Sequence, residues 1–366
     1  MAGVGRIDRR LAAQAKPCLA PVDGSPIGQG RNLLIACAGF EDRAMECLSR
    51  STNAGVKGLS VILVDYLPRV PSNRIDEMTS LCGAVGIRYE VVTYDRENPL
   101  GMGDDIVGRI PEGCEGIYVD ISAMSRLCIV QLLVALGRSP RGFSGTRVVY
   151  AEASEYPPNQ GTVRAELAKM ESDPLHTMML LSSGIFGVTV VPELSSVAML
   201  GQPIRLVAFP SFNADQLTAL RAEVHASQFT IVHGVPPLEA NAWRPTAIRA
   251  LNHVDEIPRC EEVESSTLDY RETFDLLLDT YDKRGMLERI VVAPTGSKMQ
   301  AVAVGLFRAY MDDIQVVYPT PRSFAQPKDY TRGVRQMYQL ALDSFSSIQV
   351  AGGEEPDDAE SSSGDC

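Results

Sequence analysis

Two short stretches of this 366-residue chain place hydroxyls and a cation where a phosphate-type anion could be held. Pro294-Thr295-Gly296-Ser297-Lys298-Met299 follows an apolar run and opens a helical pattern. Thr295 or Ser297 is suited to cap that helix with its hydroxyl, and Gly296 permits a tight turn and close approach by a ligand. The free amides of a first helical turn favour an anion, and Lys298 adds a point charge beside them. Thr295, Gly296, Ser297 and Lys298 are therefore candidate ligand contacts. Asp120-Ile121-Ser122-Ala123-Met124-Ser125-Arg126 is the counterpart, with hydroxyls on Ser122 and Ser125 and Arg126 in the place of Lys298. Asp120, at the end of its apolar run, either binds a ribose hydroxyl or a base amino group or only caps the turn. Neither stretch is a Walker A loop, which needs G-x-x-x-x-G-K-[ST] to wrap phosphates.

The same outline occurs earlier in each half. Asn32 to Ala38 is an apolar run ending in Gly39-Phe40-Glu41-Asp42-Arg43, and Ile204 to Phe209 is followed by Pro210-Ser211-Phe212-Asn213. Gly39 suits close backbone approach, Phe40 lies beside it, and Arg43 could reach a phosphate. Glu41 and Asp42 oppose an anion at that helix start, so this turn is suited to a base or ribose instead. Ser211 and Asn213 offer a hydroxyl and a good helix cap. Gly39 precedes Ser125 by 86 positions, and Ser211 precedes Ser297 by the same 86. Loops beyond the last apolar run of each half carry Tyr156 and Phe324, able to stack on a base, and Arg322 and Lys328, able to approach phosphates.

These turns need elements to position them. The first half reads as strands at 32–38, 59–65, 88–93, 116–120 and 146–151, with helices at 41–51, 72–85, 102–109 and 125–137. The second reads as strands at 203–209, 228–233, 288–293 and 313–318, with helices at 213–225, 243–253, 269–284 and 297–310 and a variable stretch through Glu262. Continuous apolar runs such as Val61-Ile62-Leu63-Val64 are those of parallel strands covered on both faces, and the helices between them serve as crossovers. The fold class is α/β: two tandem Rossmann-like, doubly wound parallel-sheet units related by pseudo-two-fold symmetry. The domain reading is a flexible N-terminal arm over 1–30 and a first unit over 31–160. A connecting segment follows over 161–201, with a helical stretch and the apolar run Ile185 to Val191. The second unit spans 202–350, and a disordered acidic tail spans 351–366. In such sheets ligands bind where the strand order reverses.

Composition narrows the function. Hydrophobic content of 45% with 22% charged residues is that of a soluble globular protein, and no apolar run reaches the length a membrane helix needs. No signal-peptide pattern follows the N-terminal arginines, so a cytoplasmic location is expected. A net charge of −12 argues against an extended nucleic-acid surface, which needs clustered Lys and Arg, but leaves room for one small anion. The eight cysteines form no C-x-x-C pair and read as reduced thiols, and the four histidines lack metal spacing. Neither a metal nor a cofactor is expected, and no G-x-S-x-G nucleophile elbow occurs.

A strand followed by Thr-Gly-Gly-Thr-Lys-like residues and a helix is the hallmark of CRISPR-associated Rossmann-fold (CARF) sensor domains. Pro294 to Met299 resembles that motif, with Ser297 in place of Thr and one Gly kept; Ser122 to Arg126 lacks the glycines. The turns at Gly39-Phe40 and Ser211-Phe212 match the family's other ligand-contacting place. The resemblance implies a cytosolic sensor in prokaryotic antiviral defence that binds a nucleotide-type second messenger, such as a cyclic oligonucleotide, and signals to a protein effector. It also implies two alternatives. One is a slow, metal-independent phosphodiesterase using Ser297 and Lys298; the other is a non-catalytic interaction subunit of a defence complex.

Overall fold

Strands made of consecutive apolar residues cannot leave either face in water, so each must be covered on both sides. The computed structural model describes residues 6–7, 16–173, 180–326, 329–347 and 350–351, and in it these runs form two parallel sheets. The first half runs β1 (Arg6–Ile7), β2 (Ala20–Val22), β3 (Asn32–Cys37), α1 (Glu46–Asn53), β4 (Leu59–Leu67), α2 (Ile75–Val85), β5 (Arg88–Asp95), α3 (Met102–Gly108), β6 (Gly116–Asp120), α4 (Arg126–Arg138) and β7 (Thr146–Glu152). A linking stretch supplies α5 (Gln160–Ser172) and β8 (Ser182–Thr189). The second half runs β9 (Ile204–Ala208), α6 (Ala214–Val224), β10 (Gln228–Val235), α7 (Arg244–Leu251), β11 (Cys260–Ser266), α8 (Tyr270–Arg284), β12 (Arg289–Ala293), α9 (Lys298–Tyr310) and β13 (Gln315–Val316). It closes with β14 (Tyr318–Phe324), β15 (Gln336–Ala341) and β16 (Val350–Ala351).

The parallel strands of the first sheet lie in the order β7-β6-β3-β4-β5, and those of the second in the order β11-β10-β9-β12-β13. Both are the same doubly wound arrangement, with the reversal between the first and fourth strands: β3 and β6 in one sheet, β9 and β12 in the other. The fold is α/β with doubly wound parallel sheets.

The fourth-strand helices join the halves. Every residue of α4 from Leu127 to Leu136 is buried, as is every residue of α9 from Met299 to Arg308. Helices buried on every face need cover all round, and these two cover each other inside one continuous core. Glycines let them approach. A Cβ on Gly305 would sit 3.0 Å from Leu133 Cδ1, and one on Gly137 would sit 2.9 Å from Ala309 Cβ. Leu133 and Gly305 are 172 positions apart, as are Gly137 and Ala309.

Four expectations need correction. The stretch 313–318 is two strands, β13 and β14, and β14 leaves the second sheet to pair antiparallel with β8. β15, assigned to the second unit by the reading of 202–350, instead pairs antiparallel with β7 and extends the first sheet. Its return covers the backbone groups that β7 would otherwise expose at an open edge. The arm over 1–30 is not loose throughout, because β2 pairs with β15 and Ile27 is buried in the core. The stretch before Glu262 leads into a strand, β11, whose sequence Cys260-Glu261-Glu262-Val263-Glu264-Ser265-Ser266 carries charge along an exposed edge and so lacks an apolar run. The acidic tail beyond Ala351 lies outside the described residues. Among the described residues no helix is long and apolar enough to cross a membrane.

Candidate ligand-binding crevice

The turns after β3, β6, β9 and β12 line adjoining cavities at the carboxyl ends of both sheets. A first lobe of about 90 Å³ is lined by Gly39, Phe40, Glu41, Ser125 and Lys298. A second, of about 220 Å³, is lined by Ser211, Phe212, Ser297, Arg126 and Arg244, and Lys298 and Tyr330 border both. A smaller space of about 80 Å³ between them is lined by Ser125, Arg126, Ser211 and Asn213.

Capping fixes the serines. Ser125 precedes α4 and accepts from the Cys128 amide at 3.2 Å. Ser297 precedes α9 in a capping box: its hydroxyl accepts from the Gln300 amide at 3.0 Å, and its own amide donates to Gln300 Oε1 at 2.8 Å. That box explains Gly296, where a Cβ would lie 2.2 Å from Gln300 Oε1. Gly39 is small for a related reason, since a Cβ there would meet Ala123 Cβ at 2.7 Å. Both glycines line a lobe, but protein atoms are what require them.

The residues after the two caps cross between the halves. Lys298 Nζ donates to the Met124 carbonyl at 2.8 Å, and Arg126 Nε donates to the Gly296 carbonyl. Arg126 and Lys298 are 172 positions apart, and so are Met124 and Gly296, so the two bonds are one contact made twice in opposite directions.

The charges of the two lobes differ. Glu41 is buried and its Oε2 accepts from Arg43 Nε at 2.9 Å and from the Thr331 hydroxyl at 2.7 Å, while Lys298 Nζ lies 3.6 Å from Oε1. Burial works to raise the Glu41 pKa, but Arg43, Lys298 and Thr331 outweigh it and hold the carboxyl below its usual range. Burial lowers the Lys298 pKa to about 8; Glu41 opposes that shift, and the cations Arg43 and Arg126 reinforce it. Arg126 donates to the Gly296 carbonyl; burial works against its charge, but the neighbouring Tyr318 and Tyr330 outweigh it and hold its pKa above the ordinary value. Arg244 bonds to the carbonyls of Tyr156 at 2.6 Å and Pro157 at 3.3 Å and lies over the Phe212 ring at 4.7 Å; burial lowers its pKa to about 10. Among the described residues neither Arg126 nor Arg244 has a carboxylate partner.

Gly39, Phe40, Ser125, Arg126, Ser211, Asn213, Gly296, Ser297 and Lys298 are thus brought together, whereas the other expected contacts lie outside the crevice or are already engaged by protein groups. Asp120 is 2% and Ser122 0% exposed. Both the Ser122 amide and hydroxyl donate to Asp120 Oδ1, and the hydroxyl accepts from the Ala151 amide at 2.8 Å. Burial raises the Asp120 pKa to about 6 despite the Ser122 hydrogen bonds; it caps the turn from beneath. Thr295, 3% exposed, donates its hydroxyl to the Phe209 carbonyl at 2.7 Å and ties two turns together. Arg43 borders the second lobe, but its guanidinium is taken by Glu41, the Tyr150 hydroxyl and the Ala151 carbonyl. Arg322 stands exposed on β14, against the Phe186 ring and the Ile185 carbonyl, away from all three cavities. Lys328 lies outside the described residues. Among the described residues no group of three or more His, Cys, Asp or Glu is placed to share a metal ion.

Tyr330, Arg244 and Arg96 were not expected at the site. Tyr330 packs edge-on against Phe40 with ring centroids 5.1 Å apart. Arg96 lies over Phe324 at 4.9 Å and bonds to the Pro68 carbonyl at 3.2 Å. Trp243-Arg244-Pro245 held the only sequence signal among these, an aromatic and a cation directly before a helix-starting proline.

No family model and no curated protein matches this chain. Among solved structures, similarity is found to a riboflavin-derivative dimethyltransferase, N,N-8-amino-8-demethyl-D-riboflavin dimethyltransferase from Streptomyces davawensis. The identity is 18%, covering 38% of each chain with a TM-score of 0.21, so the chain spans well under half of that protein's length. A universal stress protein from Pseudomonas aeruginosa UCBPP-PA14 is 11% identical over 80% of this chain and 93% of its own, with a TM-score of 0.22. One from Archaeoglobus fulgidus DSM 4304 is 13% identical over 80% and 97%, with a TM-score of 0.21. Scores this low say nothing about ligand or activity.

Proposed function

We propose that this chain is a binding module for an anionic, nucleotide-type ligand held across its two halves, as a CARF-like sensor with the halves related by a pseudo-two-fold axis. One observation carries the reading: each lobe takes its first-strand turn and cap serine from one half and a cation from the other. Gly39, Phe40 and Ser125 meet Lys298; Ser211, Phe212 and Ser297 meet Arg126. Reciprocal contacts of this kind are what a two-fold relation produces, and they put a ligand in touch with both halves at once. Helix N-termini and cations around one crevice suit phosphate oxygens. Native mass spectrometry of the purified protein for co-purifying nucleotides, followed by a thermal-shift screen of mono-, cyclic di- and cyclic oligonucleotides, tests the reading. A protein that carries none and responds to none ends it. Signalling to an effector protein in antiviral defence is supported by the likeness of Pro294 to Met299 to the CARF turn.

A second reading, slow phosphodiester cleavage without a metal, is favoured by one feature. With its pKa near 8, Lys298 is partly neutral around pH 7 to 8 beside the Ser297 turn. Turnover that survives EDTA and falls in Ser297→Ala would support it.

A further inference from the structure

The two lobes occupy equivalent places but do not offer the same chemistry. The third residue of the first-strand turn is Glu41 in one half and Asn213 in the other, 172 positions apart. Glu41 puts a carboxylate into the first lobe, next to the cation that lobe receives, Lys298. Asn213 is neutral and spent on local bonds: it caps α6 through Asp215 and donates to the Ser182 hydroxyl at 2.8 Å. The first lobe therefore has Lys298 answered by Glu41 and one further cation, Arg96, spent on the Leu67 and Pro68 carbonyls and the Phe324 ring, while the second lobe has two, Arg126 and Arg244, without a carboxylate among the described residues.

The walls follow the charges. The first lobe is bordered by the rings of Phe40, Tyr66, Phe324 and Tyr330, a setting for a flat ring. Inside it, Glu41 Oε2 is occupied by Arg43 and Thr331, but Oε1 has no hydrogen-bond donor among the described residues, Lys298 being 3.6 Å away. A carboxylate oxygen left in that position accepts from an amino or imino group of a ring. The second lobe holds Arg126 and Arg244 as cations without carboxylate partners, and its one carboxylate besides, Glu152, is engaged by Arg335.

Resting on the nucleotide reading above, we infer that the crevice is directional: it takes a ligand with one base, held in the first lobe against Glu41, and one phosphate group, held in the second between Arg126 and Arg244. A two-fold symmetric cyclic dinucleotide would have to place a second phosphate near the Glu41 carboxylate, where like charge and desolvation oppose it.

Calorimetric titration of the full chain with three probes tests this: AMP, purine riboside 5′-monophosphate, which lacks the exocyclic amine, and cyclic di-AMP. AMP is expected to bind at least as tightly as cyclic di-AMP, and loss of the amine to weaken binding about tenfold. Arg126→Ala should weaken AMP about 10- to 100-fold, through one charge-assisted contact, and Lys298→Ala by less than about threefold. Arg126→Lys, which keeps the charge in place, separates lost folding from lost contact and should recover part of the affinity. Cyclic di-AMP binding more than about tenfold tighter than AMP, with equal losses in Arg126→Ala and Lys298→Ala, overturns the directional inference and leaves the nucleotide reading standing. No binding of any of the three probes to the wild-type chain overturns the directional inference, and the nucleotide reading then stands or falls on the wider screen of mono-, cyclic di- and cyclic oligonucleotides.

Discussion

The two first-strand turns of this molecule share an outline and differ in one consequential residue. Gly39-Phe40-Glu41 and Ser211-Phe212-Asn213 follow equivalent strands, and both phenylalanines face the crevice. In the first, Glu41 holds together two cations, the buried Arg43 and the half-buried Lys298. In the second, the neutral Asn213 caps a helix and donates to the Ser182 hydroxyl. Sheets of the same strand order therefore need not carry the same electrostatics: on one side of the crevice Lys298 is answered by a carboxylate, and on the other Arg126 and Arg244 have none among the described residues.

The largest expected effect breaks that comparison at its source. Glu41→Ala leaves the buried Arg43 and the half-buried Lys298 without their carboxylate and should destabilise the fold by about 3–5 kcal/mol, read from urea denaturation. Asn213→Ala, at the equivalent place, removes a cap and should cost only about 1 kcal/mol. Equal losses would mean that Glu41 is no more than another cap residue.

Next comes pH. The Lys298 pKa falls from 10.5 to about 8 in the fold, so between those values the unfolded chain binds more protons than the native one. Stability should therefore rise as pH climbs from about 8 to 10.5, by an amount on the order of 2 kcal/mol. Asp120 acts in the opposite sense: its carboxyl is raised from 3.8 to about 6, so its contribution is fully present below the unfolded value and is lost as pH rises through 6. Lys298→Met should abolish the alkaline window and, because the Lys298 charge works to lower the Asp120 pKa, move the acid one slightly upward in pH. An alkaline profile unchanged by that substitution would place the titration on another group.

The helix caps sharpen the comparison further. Ser297 sits in a two-way capping box with Gln300, whereas Ser125 makes the single bond to Cys128. Both Ser→Ala changes should cost around 1 kcal/mol in thermal or urea melts, with Ser297→Ala the more expensive of the two. The reverse ranking would show that the box in α9 adds nothing.

Much of this arrangement was legible in the sequence because it depends on local pattern. Apolar runs gave β3, β4, β6, β7, β9 and β12, and small or capping residues after them marked the turns that line the crevice. The misses have long-range causes. β15 is recruited to the first sheet from far along the chain because β7 needs an edge partner, and the residues of β11 are polar because that strand is an edge. At the site, Asp120, Ser122 and Thr295 have the residue types of ligand contacts, but the fold turns their side chains inward to satisfy buried backbone groups of neighbouring turns. Glu41 looked like an obstacle to an anion; only its distances to Arg43 and Lys298 show that it answers those cations instead.

The smallest expected effect is the most direct check on which cations matter. Arg322 belongs to the same sequence class as Arg126, a positive charge in a loop-rich segment beyond a strand. In the structure it stands on the exposed side of β14, over the Phe186 ring at 5.7 Å, while Arg126 reaches across to Gly296 between the halves. An exposed charge outside the crevice acts on a bound anion only through solvent, where salt screens it within about 10 Å at 0.1 M ionic strength. Arg322→Ala should accordingly leave nucleotide affinity within about twofold and stability within about 0.5 kcal/mol. If calorimetry at physiological salt found Arg322→Ala as damaging as Arg126→Ala, the ligand would have to extend over β14, and the boundary drawn around the two lobes would be wrong.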